Sequence, residues 1–271
     1  MAQVLVVTSG KGGVGKTTST AALGAALARE GQRVVVIDFD VGLRNLDLVM
    51  GAERRVVFDL IHVIQGAARL SQALIRDKRI DTLFLLAASQ TRDKDSLSDE
   101  GVARVISELQ SAFDWVICDS PAGIERGASL AMRHADFAIV VANPEVSSVR
   151  DSDRIIGLLD SITEKAKRGE SIEKYLLLTR YDAIRAARGE MLCIDDVLDI
   201  LCIPLLGIIP ESREVLQASN LGMPVTLHDP KSAPARAYHD AARRLRGELV
   251  PLVVPSEQTT LLNKLFRRRA A

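Results

Sequence analysis

Short runs of apolar, mostly β-branched or aliphatic residues alternate along the chain with longer stretches of helical spacing. Runs of this length, bounded by Gly, Pro and Asp, predict buried β-strands. The predicted strands lie at residues 3–9, 33–40, 81–89, 114–123, 135–144, 174–182 and 203–212.

Apolar residues at helical spacing predict helices at 16–30, 96–113 and 145–169, between the predicted strands. Continuous apolar strands that alternate with helices are typical of a parallel sheet covered by helices on both faces. We therefore predict a doubly wound, mostly parallel α/β domain over residues 1–250. Residues 251–257, which include two prolines, are predicted to be a tether that leads to a separate tail at 258–271.

Composition narrows the function classes only slightly. Lys and Arg together number 35, as do Asp and Glu, so bulk charge gives no reason to expect nucleic-acid binding. Three cysteines without CxxC spacing are expected to be reduced thiols rather than metal ligands. The N-terminus has no signal-peptide pattern and no run of 18 apolar residues occurs, so we expect a cytoplasmic protein without a membrane span.

The strongest chemical signal is the pattern Gly10-x4-Gly15-Lys16-Thr17, which lies between a predicted strand and a predicted helix. It fits the phosphate-binding loop G-x-x-x-x-G-K-[ST]. Glycines let backbone N–H groups turn toward phosphate oxygens, and the helix N-terminus adds partial positive charge. The lysine of such a loop reaches the β- and γ-phosphates, and the hydroxyl that follows it can bind Mg²⁺.

Acidic residues at the ends of predicted strands complete the pattern of a nucleotide hydrolase. Asp119 ends the apolar run 115–118, and Asp38 ends the run 34–37, with Asp40 two residues later. Alternation places the side chains of Asp38 and Asp40 on one side of an extended chain. One could hold the metal's water shell while the other orients water, although strand-end capping is an alternative for both.

Several longer runs make the chain similar to a known family. The sequence KGGVGKTT at 11–18 resembles the deviant Walker A motif of the ParA/MinD group of P-loop ATPases. Within that group, the chain resembles the branch that determines the site of the division septum. This narrower resemblance rests on residues 34–51, 88–97, 118–125, 143–155 and 176–182.

The resemblance implies a role for Lys11, the extra lysine of the deviant motif. In this group it reaches across a nucleotide-sandwich dimer to phosphates bound by the partner subunit, much as an arginine finger acts in trans. The resemblance thus implies a homodimer that forms on ATP binding. The alternative is that Lys11 is an ordinary solvated loop residue.

The same resemblance implies roles for the other site residues. Lys16 and Thr17 would bind phosphate and Mg²⁺, Asp38 and Asp119 would surround the metal's waters, and Asp40 would position the attacking water. Asn45 belongs to the same switch segment. The remaining residues expected to contact the nucleotide are Gly10, Gly12, Gly13, Val14, Gly15, Thr18 and, on the adenine side, Arg180 and Pro210, which could instead be ordinary strand-end residues.

The tail predicts a short basic amphipathic helix. Its apolar residues fall within one arc of about 140° at 100° per residue, and its basic residues add attraction to anionic lipid. One copy should bind a membrane weakly, whereas two copies on a dimer gain avidity. A frayed or core-packed terminal helix is the alternative. The predicted membrane-binding residues are Leu261, Leu262, Lys264, Leu265, Phe266, Arg267 and Arg268.

The resemblance also implies protein partners. The segment 147–155, with Asp151 and Asp153, together with Arg44, would be read by a MinC-type division inhibitor and a MinE-type activator. Spacing alone favours a solvated first helical turn capped by Ser147 or Ser148 for this segment, and it is the match to the family that favours the partner role.

The family therefore implies a Mg²⁺-dependent ATPase that cycles between the cytoplasm and the inner face of the cell membrane. A ParA-type DNA-partitioning ATPase is the main alternative, but it would need a basic face on the domain. A reductase related to the nitrogenase iron protein would need cluster-binding cysteines in loops. A non-enzymatic scaffold would bind ATP without stimulated turnover.

Overall fold

The computed structural model describes residues 2–90 and 96–255, and these residues form one sheet with helices around it. The strands are β1 (Gln3–Thr8), β2 (Val34–Asp38), β3 (Ile75–Arg76), β4 (Leu83–Leu86), β5 (Trp115–Asp119), β6 (Phe137–Ala142), β7 (Glu173–Tyr181) and β8 (Leu205–Pro210). The helices of the first half are α1 (Lys16–Arg29), α2 (Leu46–Val49), α3 (Leu60–Ile64), α4 (Leu70–Ala73), α5 (Asp99–Gln110) and α6 (Arg126–Arg133). Those of the second half are α7 (Val146–Ile162), α8 (Glu164–Lys167), α9 (Ala183–Ala187), α10 (Ile194–Leu201), α11 (Arg213–Asn220), α12 (Val225–His228) and α13 (Ala233–Leu245).

The sheet has the strand order β3-β4-β2-β5-β1-β6-β7-β8. All neighbouring strands are parallel except β3 and β4, which are antiparallel. This confirms the predicted doubly wound, mostly parallel sheet. Each predicted strand is present, and β3 adds an edge strand that is too short for its two residues to stand out in the sequence.

Strand β1 shows why both faces of the sheet are covered. Val4 and Val6 pack into a core with α3, α5, α6 and α7, whereas Leu5 and Val7 pack into a second core with α1 and α13. Because successive side chains of a strand point to opposite faces, an unbroken apolar strand requires helices on both sides.

Helix α1 follows the phosphate loop and packs very closely on the sheet. It is rich in alanine, and a Cβ added to Gly24 would lie 2.8 Å from a methyl carbon of Val36. The hydroxyl of Ser19 lies 3.0 Å from that of Tyr238 on α13, and Tyr238 is almost completely buried. The start of α1, and with it the phosphate loop, is therefore held rigidly against the sheet.

The single helix predicted at 145–169 is wrong in its extent. Helix α7 ends at Ile162, and α8 begins at Glu164. Thr163 between them is extended; its hydroxyl donates to the carbonyl of Leu159 at 3.0 Å and accepts from the N–H of Ala166 at 3.2 Å. A threonine hydroxyl that replaces backbone bonds in this way ends one helix and caps the next.

The chain leaves the domain beside the edge strand β8. The Arg244 guanidinium donates to the carbonyls of Leu206, Val250 and Pro251 at 2.7, 2.9 and 2.6 Å. Residues 251–255 have no regular secondary structure. The predicted amphipathic helix at 258–271 lies outside the described residues. Within residues 2–90 and 96–255, no helix combines the length and apolarity needed to cross a membrane.

Candidate nucleotide and metal site

The phosphate loop occupies residues 9–15, between the carboxyl end of β1 and the start of α1. Gly13 and Gly15 have φ angles of +75° and +100°, which L side chains rarely adopt. Within the part of the chain that the structure describes, no side chain caps the N-terminus of α1, so its first N–H groups have no side-chain acceptor there. A loop of this shape at a helix N-terminus is a binding site for an anion such as phosphate.

Two contacts from other strands and helices hold the loop in place. The Thr179 hydroxyl on β7 donates to the carbonyl of Val14 at 2.7 Å. Gly10 lies against the backbone of α7, where an added Cβ would sit 2.2 Å from the carbonyl oxygen of Asp151. A side chain at position 10 would thus force the loop and α7 apart.

Lys16 is buried within the loop, with 8% of its surface exposed. Its Nζ donates to the Ser9 hydroxyl at 2.9 Å. Burial lowers the pKa of Lys16, while the nearby charges of Asp119 and Asp40 act in the opposite direction. A largely desolvated ammonium in this position interacts strongly with any anion that enters the loop.

Asp38 and Asp119 lie side by side at the carboxyl ends of β2 and β5, where they are register partners. Both are buried. The hydroxyls of Thr17 and Thr20 form hydrogen bonds with Asp119, and the Thr20 bond is 3.0 Å long. The sheet therefore brings the predicted metal residues Thr17, Asp38 and Asp119 together.

Both carboxyl groups are easier to protonate than an ordinary aspartate. Burial, together with the charge of Asp119, raises the pKa of Asp38 well above its usual range. Burial raises the pKa of Asp119 to about 6, although hydrogen bonds from the two threonines partly oppose the rise. Two adjacent buried carboxylates are unfavourable when both are ionised, and a cation removes this penalty.

This donor set fits Mg²⁺. All the candidate ligands are oxygens, which a hard cation prefers, and they stand beside the phosphate loop. Among the described residues, no cluster of three or more His, Cys, Asp or Glu could by itself hold a metal. Mg²⁺ commonly uses one or two protein groups, with waters and phosphate oxygens completing its shell.

A short switch segment, defined as residues 40–46, is attached to Asp38 at both ends. The backbone N–H of Asp40 donates to Oδ1 of Asp38 at 2.8 Å, and that of Leu46 donates to Oδ2 at 3.1 Å. Asp40 is half-buried and close enough to Lys16 to influence its pKa. Asn45 is exposed just before α2. The two predicted catalytic residues, Asp40 and Asn45, thus lie on one segment tied to a metal-site carboxylate.

Lys11 has partners within its own chain. Its Nζ lies 2.9 Å from Oε2 of Glu145 and 3.0 Å from the Ser147 hydroxyl, at the start of α7. Lys11 and Glu145 are 40% and 54% exposed, so solvent screens this pair and it contributes little to stability. A competing anion can therefore displace Glu145 at small cost.

The predicted partner-binding residues have different surroundings. Asp153 is exposed, and Asp151 is half-buried on α7 beside the phosphate loop. Arg44 is only 15% exposed, and its Nε lies 2.8 Å from Oδ2 of the fully buried Asp47. Arg44 also has a positive φ of 47°. Most of its side chain is therefore committed to a contact between the switch segment and α2.

The predicted adenine-side residues, Arg180 and Pro210, lie near the ends of the neighbouring strands β7 and β8. Pro210 is the register partner of Tyr181, and the N–H of Glu211 donates to the Tyr181 carbonyl at 3.0 Å. Arg180 is exposed and has a φ of 54°. Both predicted residues thus lie at the carboxyl edge of the sheet, where open α/β folds bind ligands.

Sequence reasoning missed several supporting residues. They are Ser9 beside Lys16, Thr20 beside Asp119, Thr179 beside Val14, and Glu145 beside Lys11. Thr20 could have been found, because it lies one helical turn after Lys16 and Thr17 and so shares their face. The others depend on contacts between distant parts of the chain, for which the sequence contains no local signal.

Comparisons with known proteins identify the family of this chain. Residues 5–225 match the family model of the CobQ/CobB/MinD/ParA nucleotide binding domain. The septum site-determining protein MinD of Neisseria meningitidis serogroup B is 57% identical over 98% of this chain and 99% of its own length.

Two solved structures share the fold over nearly their whole length. The MinC:MinD cell division protein complex of Aquifex aeolicus contains a chain 42% identical, with a TM-score of 0.85, matched over 94% of this chain and 100% of that one. The septum site-determining protein MinD of Pyrococcus horikoshii, complexed with Mg-ADP, is 30% identical with a TM-score of 0.80, over 90% and 96% of the two chains. The phosphate loop, the paired acids and these matches together show that the chain belongs to the MinD family of septum site-determining ATPases.

Proposed function

We propose that this chain is an ATP-driven membrane switch that selects the site of cell division. The observation that carries the proposal is the assembly of Lys16, Thr17, Asp38 and Asp119 at one edge of the sheet, with the switch segment attached to Asp38. A change in the bound phosphates can thus alter the switch segment at the protein surface through the carboxylate of Asp38.

Four residues hold the nucleotide and its metal in this proposal. The backbone N–H groups of the loop and Lys16 bind the phosphates, and Thr17, Asp38 and Asp119 hold Mg²⁺ or its waters. When bound, Mg²⁺ would neutralise part of the negative charge on the phosphate oxygens. The Mg-ADP bound to the Pyrococcus horikoshii relative supports this assignment.

Asp40 and Asn45 act on the water that attacks the γ-phosphate. The carboxylate of Asp40 accepts a hydrogen bond from this water and orients it, and Asn45 helps to define its position. Because both ends of the switch segment bond to Asp38, the segment is arranged before the reaction begins. Such pre-organisation lowers the cost of reaching the transition state.

Lys11 makes the dimer depend on the triphosphate. In the proposed dimer, its ammonium leaves Glu145 and Ser147 and binds phosphate held by the partner subunit. The exchange is feasible because the Lys11–Glu145 pair is exposed and weak. Without phosphates between them, two facing sets of Lys11 and Lys16 would repel each other.

Membrane binding follows from dimerisation, because two tails act together. The apolar tail residues insert at the surface of the lipid, and the basic residues attract anionic headgroups. The apolar residues are Leu261, Leu262, Leu265 and Phe266. One tail binds weakly, whereas linking two can raise the affinity by roughly 10² to 10⁴. Hydrolysis separates the dimer and releases the protein to the cytoplasm.

The membrane-bound dimer presents Asp153, and the exposed parts of Arg44 and Asp151, to its partners. The solved MinC:MinD complex of Aquifex aeolicus supports recruitment of a MinC-type division inhibitor. A MinE-type activator stimulates hydrolysis and ends the cycle. Division is thereby inhibited only where the ATP-bound dimer occupies the membrane.

Co-sedimentation with vesicles tests this proposal. The full chain and a chain ending at residue 257 are mixed with anionic liposomes and Mg²⁺, with ATP, ADP or no nucleotide. We expect only the full chain with ATP to sediment. Equal sedimentation of the full chain with ATP, with ADP and without nucleotide would refute the switch. Sedimentation of the shortened chain would mean that the membrane anchor lies within residues 1–257. Binding of the full chain to DNA but not to liposomes would favour a DNA-partitioning ATPase.

A further inference from the structure

A buried ion pair between Asp77 and Arg79 lies in the turn between β3 and β4. The side chain of Asp77 is 1% exposed and that of Arg79 is 28% exposed. Arg79 Nη2 donates to Oδ2 of Asp77 at 2.8 Å, and Nε donates to Oδ1 at 3.1 Å. The backbone N–H of Arg79 also donates to Oδ1, at 2.7 Å. This two-point contact fixes the plane of the guanidinium.

The same guanidinium bridges the ends of two helices. Nη2 donates to the carbonyl of Met50, just after α2, at 2.7 Å, and Nη1 donates to that of Gly222, just after α11, at 3.2 Å. Carbonyls at the carboxyl end of a helix lack partners within the helix, and a cation there is favourable. Arg79 thus joins α2 to the turn between α11 and α12.

These two helix ends touch backbone to backbone. A Cβ added to Gly51 would lie 2.5 Å from the carbonyl oxygen of Gly222, and one added to Gly222 would lie 2.8 Å from Cα of Gly51. Both glycines have positive φ angles, of 63° and 62°. The fit leaves no space for a side chain, so the end of α2 has a defined place on the α11–α12 turn.

The position of α2 in turn sets that of the switch segment. Helix α2 contains only four residues, and its first N–H, from Leu46, donates to Oδ2 of Asp38. It is therefore held by Asp38 at one end and by Arg79 at the other. If Arg79 no longer bound the carbonyl of Met50, α2 would lose this partner at its carboxyl end and keep Asp38 at its N-terminal end. Asn45, directly before α2, would then be positioned only through the bond from the neighbouring Leu46 N–H to Asp38.

We propose that Arg79 is a positioning residue for ATP hydrolysis, which holds α2 on the α11–α12 turn and thereby keeps residues 40–46 aligned with the phosphates. The inference rests on the proposed function. Arg79 acts through the carbonyls of Met50 and Gly222 rather than on the reacting atoms. The bridge also reaches α11, which begins close to the adenine-side residue Pro210.

A comparison of Arg79→Lys with Arg79→Ala separates positioning from simple stability. Lysine keeps a positive charge beside Asp77, but a single ammonium cannot match the planar fork that contacts one carboxylate and two carbonyls. Arg76→Ala is the matched control, because Arg76 lies on the same hairpin and is 63% exposed. Among the described residues, its side chain pairs with the exposed Asp81 at 3.5 Å.

Steady-state ATPase activity is measured well below the melting temperature and normalised to the stoichiometry of bound nucleotide. We expect Arg79→Lys to melt within a few degrees of the wild type, with kcat at least about fivefold lower and KM for MgATP within about twofold. Arg79→Ala should lower both the melting temperature and kcat. Arg76→Ala should match the wild type in all three quantities.

Hydrogen–deuterium exchange gives a readout that does not depend on turnover. With Mg²⁺ and ADP bound, the amides of residues 46–51 should exchange at least about threefold faster in Arg79→Lys than in the wild type. Unchanged exchange there, or a kcat of Arg79→Lys within twofold of the wild type, would overturn the positioning role. A wild-type protein that never hydrolyses ATP would instead overturn the proposed function, and exchange at residues 46–51 would still decide the role of Arg79.

Discussion

Asp38 and Asp119 are register partners at the carboxyl ends of adjacent parallel strands, and both are buried. Their proximity has a cost, because neither carboxylate is well solvated and each disfavours ionisation of the other. The site is therefore built to receive positive charge. This relationship connects the stability of the protein to pH and to Mg²⁺.

Asp119→Asn should stabilise the protein without nucleotide and metal, most strongly at neutral pH. The pKa of Asp119 is raised to about 6 in the folded protein, so its stabilising contribution is present below pH 4 and is lost as the pH rises through 6. Removing the ionisable group should raise the free energy of unfolding by on the order of 3 kcal/mol at pH 7.5. The gain should vanish at pH 4.

Thermal unfolding of both proteins at pH 4 to 8, in the presence of a chelator, measures this difference. In the same scans with Mg²⁺ and ADP at pH 7.5, the wild type should be more stable than the variant, because the variant lacks a carboxylate for the metal. If Mg²⁺ and ADP raised the melting temperature of the variant as much as that of the wild type, the role of Asp119 would be contradicted.

Asp40→Ala should abolish turnover while leaving the dimer intact. In the proposed mechanism, Asp40 orients water but does not hold the nucleotide, so ATP binding should change by less than about threefold. We expect kcat to fall by about 10² or more, a typical loss for a general base or a water-positioning group.

A coupled assay for phosphate release and a mass measurement with ATP test this on one sample. Asp81→Ala, which removes an acid that is 87% exposed, is the control for loss of one negative charge. Rapid hydrolysis by Asp40→Ala would rule out its proposed role.

Lys11→Ala and Glu145→Gln should have opposite consequences, although the two residues form one ion pair. Loss of Lys11 removes the charge that reaches the partner's phosphates, so ATP should no longer produce a dimer. Loss of the Glu145 charge only frees Lys11 from an exposed pair worth about 0–1 kcal/mol. Dimerisation of Glu145→Gln should therefore occur at equal or lower ATP concentration.

Light scattering during an ATP titration distinguishes the two variants. Equal loss of dimerisation in both would mean that the contact between Lys11 and Glu145 is itself required for the dimer. That result would contradict the release of Lys11 from its own chain.

Phe266→Glu should prevent sedimentation with anionic liposomes and leave ATP binding unchanged, because it places a charge among the apolar residues of the tail. Asn263→Glu is the matched control. It adds the same charge, but at about 100° per residue position 263 lies outside the apolar arc. We expect the control to lose far less binding, and equal losses would mean that charge rather than insertion anchors the tail.

The sequence was most informative where chemistry and local structure coincide. The phosphate loop could be predicted because a buried strand, a run of glycines and a helix start must follow one another within a few residues. Asp38 and Asp119 could be predicted because each ends an apolar strand, and parallel strands bring such ends to one edge. The strands themselves were clear because burial on both faces demands continuous apolar runs.

Other features depend on contacts between distant residues. Glu145 meets Lys11 only because β6 lies beside β1 in the sheet, although the two residues are 134 positions apart. The helix break at Thr163 was hidden because threonine also occurs within helices, and only its two hydrogen bonds show that it acts as a cap. The bridge from Arg79 to Gly222 spans 143 positions and leaves no periodic signal.

The central claim is that a triphosphate joins two copies of this chain. Sedimentation-velocity ultracentrifugation of the full chain without lipid, with Mg²⁺ and either a non-hydrolysable ATP analogue or ADP, tests it most directly. The account predicts a dimer with the analogue, a monomer with ADP, and a monomer under both conditions for Lys11→Ala. A wild-type chain that stays monomeric with the analogue, or that dimerises equally with ADP, would contradict it.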